Sequence, residues 1–213
     1  MMNYLEKKKM AMLNYVSGIT PPIPSAYQQV EWIGSTGSQY LLINSAPLKA
    51  DYIETEIACE FTNNDEYLIS GYQWSTNNNR FGIGGHYSTQ FHYAFGGTAT
   101  NRPPYMATTY DNDFHTWTYE NGVFEIVDKS DIIDVSARAY GDDSNRQIRI
   151  FRGYNATLSG KIKSFIQKRN GEEIVNLIPC YRKSDNVIGM YDTVTQTFYT
   201  NSGSGTFTKG QDV

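Results

Sequence analysis

From Tyr27 onward the chain is written in short runs of alternating apolar and polar residues, interrupted every few positions by clusters of Gly, Asn, Asp and Ser. This pattern restricts the fold more than any other feature. A period of two sends successive side chains to opposite faces of a strand, whereas an amphipathic helix needs a period near 3.6. In Asp51 to Phe61, Ile53, Ile57, Cys59 and Phe61 share one face while Glu54, Glu56 and Glu60 share the other, as in a strand with one wet face. Phe114 to Tyr119 and Val123 to Asp128 flank Glu120-Asn121-Gly122, and Asn-Gly supplies the positive φ angles of a tight hairpin turn. Further strands are expected at Tyr67 to Tyr72, Arg80 to Gly85, Gln90 to Phe95, Gln147 to Phe151, Lys161 to Lys168, Glu173 to Tyr181, Val187 to Tyr191 and Thr197 to Thr200. So many short strands predict an all-β fold, a sandwich or jelly roll. No repeat of propeller or solenoid length recurs.

The chain of 213 residues suits one domain with a short appendage. Residues 1 to 17 lack interior Gly and Pro and are rich in helix formers, with Met2, Leu5, Met12 and Val16 on one helical face and Lys9 breaking the stripe. Such a segment needs something to dock on. Gly18, Pro21, Pro22 and Pro24 then stop any helix. The expected division is a docking segment with a Pro-rich linker over 1–24 and a sandwich domain over 25–213. A net charge of -4 offers no positive field for nucleic acid, and no apolar run reaches the roughly 20 residues of a membrane span. Lys7, Lys8 and Lys9 precede an apolar stretch, but Asn14 and Tyr15 interrupt it and no Ala-x-Ala site follows, so no export signal is expected.

Two segments resemble a known family. Ser25-Ala-Tyr-Gln-Gln-Val-Glu-Trp-Ile-Gly-Ser-Thr-Gly-Ser-Gln-Tyr40 looks like the opening of concanavalin A-like (LamG-like) jelly-roll domains of phage and prophage structural proteins. Ile178-Pro-Cys-Tyr-Arg-Lys-Ser-Asp-Asn-Val-Ile-Gly-Met-Tyr-Asp192 and Thr197 to Phe207 are similar to the closing strands of the same domains. Lys161-Ile-Lys-Ser-Phe-Ile-Gln167 matches a further strand of the family, and Phe114 to Ile126 is loosely like its central pair. The resemblance covers about residues 25 to 208. It implies a concanavalin A-like jelly-roll β-sandwich of two antiparallel sheets, often on a virion surface or in sugar binding, and it does not imply catalysis.

The chemistry is sparse. Glu54, Glu56 and Glu60 depart from the Glu-x-Asp-x-(x)-Glu spacing of related glucanases and read as a solvated sheet face. His86, His92 and His115 lack metal-ligand spacing, and no Gly-x-Ser-x-Gly elbow occurs. Gly82, Gly84 and Gly85 sit in a strand pattern with no helix after them, so bulges or close packing are expected there. Asp111, Asn112 and Asp113, like Asp142 and Asp143, could suit calcium but read as turn residues, and no metal or cofactor is assigned. Cys59 and Cys180 are expected to be reduced, buried thiols. Tyr72, Trp74, Asn77, Asn78, Asn79, Arg80, His86, His92 and Tyr93, with Tyr110, combine flat rings and directional hydrogen bonds of the kind that hold a sugar; core packing is the competing use. Trp32 and Trp117 are expected inside.

These readings converge on a non-catalytic bacteriophage virion protein, a head decoration or tail-associated adhesin assembled in the host cytoplasm. Its expected partners are other virion proteins through residues 1–17 and a cell-surface or environmental glycan, with homo-oligomerisation compatible. A free carbohydrate-binding module is the alternative, and a glycoside hydrolase a more distant one.

Overall fold

The computed structural model describes residues 23–60, 66–71, 80–87, 90–96, 106–109, 111–142, 146–153 and 156–213. Their strands are β1 (Tyr27–Gln29), β2 (Ile33–Thr36), β3 (Leu41–Ile43), β4 (Tyr52–Cys59), β5 (Glu66–Ser70), β6 (Phe81–Tyr87), β7 (Gln90–Phe95), β8 (Phe114–Glu120), β9 (Val123–Ile126), β10 (Asp131–Asp134), β11 (Ile148–Ile150), β12 (Ser159–Arg169), β13 (Glu172–Arg182), β14 (Val187–Asp192), β15 (Thr197–Thr200) and β16 (Thr208–Lys209). The larger sheet runs β10-β9-β8-β4-β12-β13-β14-β15, with β1 beside β13, and β2 joined to both β12 and β16. The smaller sheet runs β3-β11-β5-β6-β7. Every pairing between these strands is antiparallel, giving an all-β sandwich. The expected helix over residues 1 to 17 lies outside the described residues.

Local chemistry accounts for the turns. Asn121 and Gly122 take φ of 52° and 86° and close β8 onto β9 with Glu120 opposite Val123. Asn170 and Gly171 do the same between β12 and β13, with φ of 54° and 84° and Arg169 opposite Glu172. Both are two-residue turns whose twist matches that of the flanking strands. The strand expected to run on to Asp128 ends at Ile126, because Val127–Lys129 coil into a 3-10 turn. Ser130 then takes φ 52° and sends the chain back as β10.

Alternation builds the core. On β4, Ile53, Thr55, Ile57 and Cys59 are buried while Tyr52, Glu54 and Glu56 are half-exposed. Phe61, expected on the same buried face, lies outside the described residues. Between the sheets the core is largely aromatic. Phe81 meets Tyr119 edge-on at 5.1 Å, Phe91 meets Trp117 edge-on at 5.5 Å, and Tyr93 lies 4.7 Å from Phe124. Such ring pairs add about 0.5–1.5 kcal/mol each beyond the area they bury.

Among the buried polar groups, one carboxylate joins the two sheets. Asp51, fully buried in the crossing from β3 to β4, accepts hydrogen bonds from the Leu48 N–H at 2.8 Å, Gln167 Nε2 at 2.6 Å and Arg169 Nε at 2.8 Å. Gln167 and Arg169, on β12, also donate to the Ala46 carbonyl at 2.8 and 3.0 Å. A buried carboxylate is tolerated only when paired and hydrogen-bonded in this way. The result is a clasp that fixes where the chain passes from the smaller sheet to the larger.

Candidate binding surface

The aromatic set expected to hold a sugar is divided by the structure. Tyr72, Trp74, Asn77, Asn78 and Asn79 lie outside the described residues, as does Tyr110. Arg80 is half-buried just before β6, and its carbonyl accepts from the Gly96 N–H at 2.9 Å. His86 is a backbone member of β6, opposite Glu66 and Phe91. His92 and Tyr93 are corrections: their exposures are 3% and 0%, so neither offers a face to a ligand. His92 stacks on Tyr67 at 5.2 Å, and Tyr93 takes part in the core between the sheets. Burial pushes the Tyr93 phenol up to about 12, against the lowering effect of Arg138.

The glycines beside these rings serve packing, as expected. A register shift separates Gly82 from Gly85, and a Cβ on either would come within 2.7 Å of the Tyr67 ring. Gly84 takes φ +67°, where a Cβ would meet Ile57 Cδ1 at 2.4 Å.

The three acids of the wet face are each engaged by a neighbour. Glu54 accepts from the Tyr52 hydroxyl, Glu56 pairs with Lys163 Nζ at 2.6 Å, and Glu60 pairs with Lys161 Nζ at 2.8 Å. A glycosidase pair instead needs one carboxyl kept protonated as acid and a second acting as base or nucleophile. Alternating acids and lysines on adjacent strands is the ordinary composition of a solvated sheet.

His115 lies at the end of the core, 2% exposed, with Nδ1 2.7 Å from Asp128 Oδ2 and Nε2 2.7 Å from Asp111 Oδ1. Carboxylates accept and do not donate, so both contacts are hydrogen bonds when each ring nitrogen carries a proton. Both nitrogens are occupied, which leaves none to activate a nucleophile. Asp128 was within reach of the sequence: once Asn121-Gly122 fixes the register, position 128 falls near 115. Burial pushes the Asp111 carboxyl up, but hydrogen bonds from His115 and the Asp113 N–H, with the charges of His115 and Lys129, outweigh it and hold the group below its usual range. Asp111 thus serves a turn and a clamp, and Asp142 accepts from the Lys49 N–H at 2.7 Å. Among the described residues no group of three or more acids, histidines or cysteines is placed to hold a metal ion. Cys59 and Cys180 are free and buried. Burial pushes the Cys180 thiol up to about 12 and the Cys59 thiol well above its ordinary value, so neither is an activated nucleophile.

Sequence reasoning misplaced Trp32. Trp117 is fully buried, but Trp32 is half-buried at the surface, and it lines an open groove of about 710 Å3 with Glu31, Lys209, Gly210, Gln211 and Asp212. Residues 208–213 return to pair with the start of the domain: Gly210 N–H donates to the Trp32 carbonyl at 2.9 Å and Glu31 N–H to the Gln211 carbonyl at 3.0 Å. No helix among the described residues is long and apolar enough to cross a membrane. Comparisons with family models, curated proteins and solved structures find no match to this chain.

Proposed function

We propose that the protein is a non-catalytic virion structural protein that displays one concanavalin A-like jelly-roll domain on a phage particle, anchored through residues 1–17. The observation that supports this most is how the two family-like segments meet. Tyr27 of the opening segment lies 5.0 Å from Tyr191 and 4.8 Å from Phe198 of the closing ones, ring against ring. Tyr27 also pairs with Arg182 across β1 and β13, and Val30 N–H donates to the Pro179 carbonyl at 3.0 Å. Segments that resemble the two ends of one domain type therefore form one continuous part of this domain. The engaged acids and the doubly bound His115 favour display or binding over bond cleavage.

Imaging particles made with and without the gene tests the reading. Density of sandwich size should vanish when the gene is removed, and deletion of residues 1–17 should give a folded protein that no longer joins the particle. Particles identical with and without the gene would refute the virion assignment. Incorporation of the truncated protein at full occupancy would refute the anchor.

A further inference from the structure

We infer that Arg149 and Arg152, gathered beside Tyr40 on the solvent face of the smaller sheet, form a binding site for a phosphate monoester dianion. The site goes beyond the display reading and does not rest on it.

β11 begins as a regular strand. Ile148 and Ile150 are fully buried while Arg149 is half-buried, so Arg149 points to the solvent face, opposite Leu42 of β3. With Ile150 opposite Leu41, the same alternation would put the side chain of residue 151 on that face as well, next to Tyr40. Phe151 does the opposite. It takes φ 65°, is fully buried and packs on Phe207 at 5.7 Å, and Arg152 falls over the Tyr40 ring instead, with Cζ 4.4 Å from the centroid. A bulky side chain rarely adopts a left-handed backbone, and an outlier of this kind points to a function. Its effect here is to bring together two guanidiniums that regular alternation would send to opposite faces.

Neither guanidinium has a counter-charge. Among the described residues no carboxylate pairs with Arg149 or Arg152 and neither side chain donates a hydrogen bond, while β3 and β11 carry no acid. Other cations of the chain are held: Arg169 by Asp51, Arg182 by Asp185 and Lys163 by Glu56. Burial, and then the charge of Arg152, push the Arg149 guanidinium below its usual range, against the raising effect of Tyr40. The two groups are therefore near enough to repel. Arg152 lays only the flat of its guanidinium on the ring, so its N–H edge stays open to an oxyanion. Arg149, Arg152 and Tyr40 are all half-buried, and part of each reaches solvent.

Charge selects the ligand class. Two unopposed positive charges suit two negative ones, and a phosphate monoester carries about −1.5 to −2 near pH 7, with three oxygens to accept from both guanidinium forks. A carboxylate, a sulfate ester or a phosphodiester brings a single charge. Free phosphate and a phosphorylated side chain or metabolite share the required chemistry.

The test titrates the full chain, 15N-labelled at arginine, with sodium phosphate at about pH 7.5 and constant ionic strength. The Arg149 and Arg152 Nε–H signals should shift together and saturate with a Kd on the order of 1 mM. Arg149→Gln and Arg152→Gln should each weaken binding about tenfold or more, and Arg182→Gln, away from the site, should leave it unchanged. Phosphate at about 20 mM should raise the thermal midpoint of the parent by about 3 °C and leave that of the first two variants in place. At about pH 5, where phosphate is singly charged, affinity should fall several-fold. Phosphoserine and glycerol 3-phosphate separate the sources: one that binds about tenfold tighter than inorganic phosphate names the carrier, and equal affinities show that the phosphate group alone is read. The inference fails if phosphate to about 20 mM moves neither signal, if acetate or chloride at equal ionic strength moves them as much, or if a phosphodiester binds more tightly than every monoester. It fails too if both variants bind as the parent does, or if they lower the midpoint equally with and without phosphate, which is the mark of a purely structural pair. The titration needs no particle, so its failure and that of the virion reading are distinguishable.

Discussion

At the scale of single residues, the Asp111–His115–Asp128 clamp has a measurable pH signature. The Asp111 carboxyl in the folded protein titrates below its ordinary value, so the unfolded chain binds the proton more readily. Its contribution to stability is therefore fully present above the unfolded carboxylate range of about pH 4 and is lost as pH falls through the lower, folded value. Asp111→Asn should lower the urea midpoint at about pH 7 and flatten its decline toward about pH 3. Parallel urea curves at several pH values check this, and an unchanged decline would remove Asp111 as its source. The residues of this clamp also show what a sequence conceals. Asp111 and His115 each drew attention alone, one as a turn acid and one as a stray histidine, because residue types do not show that the turn before β8 folds Asp111 back onto the His115 ring. Trp32 was misjudged for a related reason: its neighbours suggest a strand, but its exposure depends on residues 208–213 returning beside it.

Among elements, the hairpin at Asn121-Gly122 was the most legible feature, since Asn-Gly prescribes backbone angles through local sterics alone; the same dipeptide at Asn170-Gly171 was not singled out. Gln90–Phe95 and Thr197–Thr200 match their expected limits, and the alternating acids correctly gave β4 its wet face. Short strands such as β1, β3, β10 and β16 were not singled out, because two to four residues carry too little alternation and owe their form to distant partners. The two hairpins allow a controlled comparison. Gly171, at φ +84°, has nothing within 4 Å of an added Cβ, so Gly171→Ala should cost only the left-handed backbone strain of about 1 kcal/mol. Gly122, at φ +86°, would place that atom 2.7 Å from Ser136 Cα, and Gly122→Ala should cost about 2–4 kcal/mol. Denaturant unfolding of both variants checks the order, and equal losses would show that backbone strain alone decides. The β10 edge has its own safeguard. Antiparallel pairing of two copies through Asp131-Ile-Ile-Asp134 in register would set Asp131 against Asp134, which like charges oppose.

For the molecule as a whole, the fold class was legible and the closure of the sandwich was not. Asp51 has no sequence signal that distinguishes it from a turn acid, yet it clasps the passage between the two sheets. Asp51→Ala would take from Arg169 and Gln167 the carboxylate they share, leaving each only the Ala46 carbonyl to donate to, and should cost about 3–5 kcal/mol, a large part of the roughly 5–15 kcal/mol that holds a domain together. The urea midpoint measures it, and a loss near zero would mean that solvent replaces the clasp. The returning segment has a further consequence, for synthesis. Gly34 bonds to Thr208 across 174 residues, and Gln28 to Val213 across 185. Contacts of such separation close late, because the intervening loop must first be ordered. On the ribosome, the opening strands emerge first and wait for nearly everything else: the edge of β2 stays uncovered until residues 208 and 209 leave the exit tunnel. The groove beside Trp32, lined by Lys209, Gly210, Gln211 and Asp212, cannot take shape before those residues emerge.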